Sequence, residues 1–182
     1  MATEEKIAHR LEELHGSGFE VVDGQPDIIG WEVKARSGKK VGEVKDLLFE
    51  PQSRKVRYLV IDMDDNQLNL EEDRAVLIPI GIAELYTKTD HRRVRDVDPA
   101  YEAYDPAEDG NVVFLPDVTA AQIDALPLYE KNHLSPHVEM AIRKILEPGN
   151  NKYDEDEFYR HEHFNDDRFY HHDHQGHHHR VK

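Results

Sequence analysis

The chain has 182 residues, 34% of them charged and 38% hydrophobic, with no cysteine and a formal net charge of −15. That length holds one ordinary domain with extensions rather than two full domains, and the low apolar share implies that part of the chain is solvated. Lack of cysteine removes disulfides, thiol nucleophiles and thiolate metal sites, while the lack of a basic segment disfavours binding to nucleic acid or anionic membranes.

Residues 1–26 are predicted to be a helix and linker. Thr3 is a natural cap, Glu4 and Glu5 suit the positive end, and Ile7, Leu11 and Leu14 recur at helical spacing. Gly16 and Gly18 stop the helix, and Asp23-Gly24-Gln25-Pro26 forms a turn. Met1 to Phe19 contains no apolar run of signal-peptide or membrane-spanning length, so a soluble cytoplasmic protein is expected.

Residues 27–86 switch to short β-branched runs separated by turn residues, the pattern of meandering antiparallel strands. Strands are expected at Ile28 to Ala35, Val41 to Glu50, Val56 to Met63, Ala75 to Pro79 and within Ile80 to Tyr86. The Arg36-Ser37-Gly38-Lys39 turn reverses the first into the second, which Pro51 ends for want of an amide hydrogen. Short curled strands hide their edges by closing, so the fold class expected is mainly β with flanking helices, built on a small barrel of about five to six strands.

Residues 87–149 are expected to pack on this barrel as a loop, a strand and helices. Thr87 to Gly110 is polar and reads as a long loop with a short strand at its start, and Asn111 to Leu115 reads as a strand. Thr119 and Gln122 have the spacing of a capping box for a short helix ending near Leu126. Ser135 then caps a second helix, with Pro136 at its first position, an apolar face at Val138, Ile142, Ile145 and Leu146, and a stop at Pro148-Gly149. Residues 150–182 form an acidic, histidine-rich tail expected to be disordered.

The run Asp27-Ile28-Ile29-Gly30-Trp31-Glu32-Val33, followed by Gly38-Lys39-Lys40-Val41-Gly42-Glu43-Val44-Lys45-Asp46-Leu47-Leu48-Phe49, resembles the opening hairpin of the PRC-barrel family. Gly30 and Gly42 carry much of the likeness, as glycines within strands that permit a bulge or close backbone approach. Arg57 to Ile61 and Val76-Leu77-Ile78-Pro79 are similar to the family's third strand and its apolar strand ending in proline. Val113 to Pro116, Ala121 to Ile123, Leu126-Pro127 and the last helix extend the resemblance towards the cytoplasmic part of the photosynthetic reaction-centre H subunit. The family also includes the carboxy-terminal domain of a ribosome-maturation factor, and in both settings the barrel docks to larger assemblies. No counterpart of the H subunit's membrane helix or of the maturation factor's preceding barrel is expected within residues 1–26, and the family brings no catalytic residues to carry over.

Of 13 histidines, eight fall in the last 22 residues: His161, His163, His171, His172, His174, His177, His178 and His179. Neutral imidazoles suit zinc, nickel or copper, and Asp166, Asp167 and Asp173 stand among them, so these eight are the candidate metal ligands and a divalent transition metal is the one cofactor the chain could take. Asp64-Asp65 and Glu71-Glu72-Asp73 lack the spacing of a calcium loop and read as a solvated loop. Arg92, Arg93 and Arg95 read as surface charge, Trp31 as a core residue, and His133 as too far ahead of the Ser135 cap to pair with His137 on one helix face. No Ser-His-Asp order, phosphate loop or zinc-protease helix is present. The function expected is a non-catalytic PRC-barrel adaptor that docks to a protein partner or to itself as a homo-oligomer. Metal binding or buffering by the tail is the alternative.

Overall fold

The run from Val41 to Phe49 starts with polar residues between apolar ones and becomes wholly apolar at Leu47-Leu48-Phe49, as suits a strand covered on one face at its start and on both at its end. In the computed structural model, which describes residues 11–21, 25–88, 104–149, 158–166 and 169, that run lies in the central strand. The strands are β1 (Glu12–Glu13), β2 (Glu32–Ala35), β3 (Lys40–Glu50), β4 (Lys55–Asp62), β5 (Ala75–Pro79), β6 (Glu84–Tyr86) and β7 (Val112–Leu115). Along β3, Glu43 and Lys45 are exposed, whereas everything from Asp46 to Phe49 is buried.

The sheet runs in the order β5-β4-β3-β2-β7-β6, with β1 also paired to β3. β4 lines one flank of β3 from Glu43↔Asp62 to Glu50↔Lys55. The other flank is shared, β2 pairing at Glu32↔Glu43 and β1 at Glu12↔Phe49. Register shifts at Val33/Lys34, Val44/Asp46 and Leu48/Phe49 bend this long strand. β7 lies parallel to β2 and antiparallel to β6, so the sheet takes one strand from beyond residue 86. The fold is mainly β with flanking helices, as expected.

Gly42 meets its expectation of close approach: a Cβ there would run into the Asp62 carbonyl of β4. Gly30 does not sit within a strand. It has φ 85, a conformation that glycine adopts readily, in a turn where Asp27 Oδ1 accepts the Ile29 N–H and Ile28 O accepts the Trp31 N–H. This turn is why β2 starts at Glu32 and not at Ile28.

Three other expectations need correction. The helix read through Leu11 and Leu14 is overturned at its C-terminal end, because Glu12–Glu13 is extended on β3 and the Leu14 N–H donates to Leu47 O at 2.9 Å. Between Pro79 and β6 the chain makes a 3-10 turn, Ile80–Ile82. The loop before β7 starts at Thr87-Lys88 with no strand and contains a helical turn, α1 (Pro106–Asp109), while its residues 89–103, Arg92, Arg93 and Arg95 among them, lie outside the described residues.

The two marked helices appear as read. In α2 (Ala120–Ala125) Thr119 Oγ1 accepts the Gln122 N–H and Gln122 Oε1 accepts the Thr119 N–H, completing the capping box. In α3 (Pro136–Leu146) Ser135 Oγ accepts the Val138 N–H, and Ile142 reaches the core. The core gathers apolar side chains from every strand except β1, which Leu14 follows into it; Trp31 packs partly buried against this cluster. Among the described residues no helix is long and apolar enough to cross a membrane.

Candidate functional site

The C-terminal residues change the picture most. Phe158, Tyr159, Phe164 and Phe169 are buried, so residues 158–166 and 169 are not the solvated tail that their charged neighbours imply. Two 3-10 turns, Phe158–Arg160 and Glu162–Phe164, press these rings onto the barrel. Phe164 meets Tyr58 of β4 edge to face at 5.2 Å, and the Arg57 guanidinium lies 5.0 Å from the Tyr159 ring centre. Gly81 lets the segment settle, since a Cβ there would strike the Glu162 and His163 backbone. Phe169 O accepts the Leu85 N–H of β6 at 2.9 Å.

This segment carries two of the eight candidate ligands. α3 ends at Leu146, and the Glu147 N–H donates to Arg143 O, which fixes the Glu147 backbone at the helix end. His161 Nε2 lies 2.9 Å from Glu147 Oε2, and His161 Nδ1 accepts the His163 N–H at 3.2 Å as the cap of the second turn. A nitrogen that accepts carries no proton, so in this arrangement the His161 proton sits on Nε2. The His163 ring stands perpendicular to that of His161, with centres 4.5 Å apart. Burial, with a further contribution from His161, lowers the His163 pKa and favours its neutral form. One donor atom from each of Glu147, His161 and His163 falls within 4.8 Å of the others, so these three could hold a metal ion.

The remaining candidates, His171, His172, His174, His177, His178 and His179, lie outside the described residues. Glu147 is not among the ligands that the sequence points to. Its only local signal is an acid placed just before the Pro148-Gly149 stop, and its partners are more than a dozen residues away. Asp166 is buried but stands outside the three-residue group. His133 turns to Glu130 at 2.8 Å. The acidic loop is closed by its own backbone, with Asp64 Oδ1 accepting the Asp73 N–H at 2.9 Å, as befits a solvated turn.

Away from this cluster, a concavity of about 220 Å³ opens between β1 and the segment before α3. Its charged floor is Glu13, which accepts the Tyr129 hydroxyl at 2.7 Å and pairs with Lys131 at 2.7 Å. Burial pushes the Glu13 carboxyl up, but the Lys131 and Tyr129 hydrogen bonds more than offset it and hold the group below the usual carboxylate range.

No curated protein matches the chain. A family model described as PRC-barrel domain matches residues 20–98. The match covers the hairpin with Gly30 and Gly42 and the strand ending in Pro79, and stops before β7, so it does not extend the likeness to the reaction-centre H subunit. The long bent β3, with β4 on one flank and β2 on the other, lies within the residues that the PRC-barrel domain model matches.

Proposed function

We propose that this chain is a non-catalytic binding protein whose barrel docks to a protein partner or to a second copy of itself. The supporting observation is the surface at one end of the sheet. β5 is an end strand, the Tyr129 N–H reaches it at Ala75 O, and the neighbouring Leu128 side chain is 58% exposed. β5 itself is buried, so the docking surface is the exposed apolar side chain beside this end of the sheet, which supplies an anchor for a partner.

The test compares the full chain with Leu128→Asp and Ile29→Asp, the two exposed large apolar positions. Sedimentation over a concentration series reads self-association, and affinity capture with the full chain as bait reads other partners. Because both side chains project to solvent, the variants should fold. Loss of association in Leu128→Asp supports docking at this end of the sheet, and association that survives both substitutions overturns it.

A further inference from the structure

We propose that Glu147, His161 and His163 form a site for a divalent transition ion of the zinc class, and that the ion clamps the C-terminal segment to the end of α3. Two imidazoles and one carboxylate are a donor set for zinc, nickel or copper; magnesium and calcium prefer oxygen throughout. The 2.9 Å between His161 Nε2 and Glu147 Oε2 suits two donors in neighbouring coordination positions, which stand roughly 3 Å apart when each bond is about 2.0–2.2 Å. The 4.8 Å limit on the full set leaves His163 to move inward by about 1 Å.

These ligands differ from histidines strung along a solvated tail, because the fold already orders them. Glu147 is tied to the last turn of α3, and His161 caps and His163 lies within a turn seated over Gly81, with Phe158 and Phe164 in the core. The ordering entropy that weakens chelation by a loose segment is therefore largely absent here. Glu147 and His161 keep side-chain exposures of 30% and 15%, enough for a water to complete the coordination shell.

Two features oppose the ion. Arg143 Nε lies 3.7 Å from Glu147 Oε2 and reduces its pull on a cation, although the guanidinium also rests on the Phe158 ring at 5.6 Å and can remain there. His161 Nδ1 holds the His163 amide, at the long end of hydrogen-bond distance. For Nε2 to bind the ion, its proton must leave and Nδ1 must take one up, so the ring changes tautomer with no net proton release and the amide contact opens. That exchange is a signature that chelation elsewhere in the tail would not produce.

The test uses the full chain carrying Gln at His171, His172, His174, His177, His178 and His179, titrated with zinc chloride alone. One zinc per chain is expected. Long-range proton–nitrogen NMR should show His161 passing from the Nε2–H to the Nδ1–H form, and at zinc about 100 times its Kd the opening of residues 158–169 should become about 100-fold rarer by hydrogen exchange. With the six tail histidines restored, Glu147→Gln and His163→Gln should each weaken binding at this site by at least about tenfold. A His161 ring that stays Nε2–H at saturating zinc, or zinc binding that vanishes with the six tail substitutions, overturns the site and leaves only tail chelation. The docking proposal rests on Leu128 and Ile29 and stands or falls separately.

Discussion

Tyr159 Oη donates to Glu139 Oε1 at 2.6 Å, which ties the C-terminal segment to a buried carboxylate on α3. Removing the hydroxyl while keeping the ring isolates this bond, because the Arg57 contact is with the ring face. Tyr159→Phe should lower stability by about 1–3 kcal/mol, the usual range for losing a hydrogen bond to a charged group. Urea unfolding checks it, and an unchanged midpoint would show that the hydroxyl contributes nothing.

The aromatic rings of the same segment should matter more than its charges. Phe158 is 1% exposed and sits within the cluster shared by barrel and α3. Phe158→Ala should cost about 3–5 kcal/mol. Limited proteolysis of the variant should then cut within residues 158–169 well before the barrel. Cleavage no faster than in the unsubstituted chain would place the ring outside the core.

Gly42 has φ in an ordinary range, so its requirement is space alone. Gly42→Ala pushes a methyl into the Asp62 carbonyl, and backbone yields less easily than a side chain. The expected loss is about 1–3 kcal/mol or more. Gly30→Ala provides the comparison: its added Cβ meets nothing within 4 Å, and its cost comes from φ 85. Equal structural disturbance of β3 and β4 in the two variants, read from amide shifts, would contradict the distinction.

Glu13 should make the chain sensitive to acid over a defined window. Its folded-state pKa lies below the ordinary 4.5, so the unfolded chain binds the proton more readily. The stability this contributes is complete above about pH 4.5 and is lost as pH falls through the folded value. Glu13→Gln cannot titrate, so the gap in urea midpoint between the two chains should close as pH falls below about 4.5 and through the folded value. A gap that is constant with pH would mean that Glu13 gains nothing from Tyr129 and Lys131.

The elements legible in the sequence are those whose cause is local. Ala75 to Pro79 is apolar throughout because both faces are covered, and Thr119/Gln122 and Ser135-Pro136 mark helix starts through bonds made within three residues. β1 is illegible for the opposite reason. Leu11 and Leu14 have helical spacing, yet Glu12 and Glu13 extend because Phe49 and Leu48, far along the chain, offer a ladder. The histidines announce the kind of chemistry in the tail, but only tertiary packing brings His161 to Glu147, and no local pattern separates Phe158 or Phe169 from a solvated aromatic. Charged composition describes what surrounds those rings, and the barrel decides where they go.

The parallel pairing of β2 with β7 has a consequence for how the protein is made. β2 emerges from the ribosome early and finds β3 at once, but its other neighbour is synthesised only after β6. Until Val112–Leu115 appears, β2 and β6 have no shared strand to join them, and both present raw edges to other nascent chains. A message truncated near residue 98 would thus encode the whole family match and still yield a sheet missing an inner strand. Such a fragment should aggregate, which makes the natural unit of synthesis longer than the family motif that identifies it.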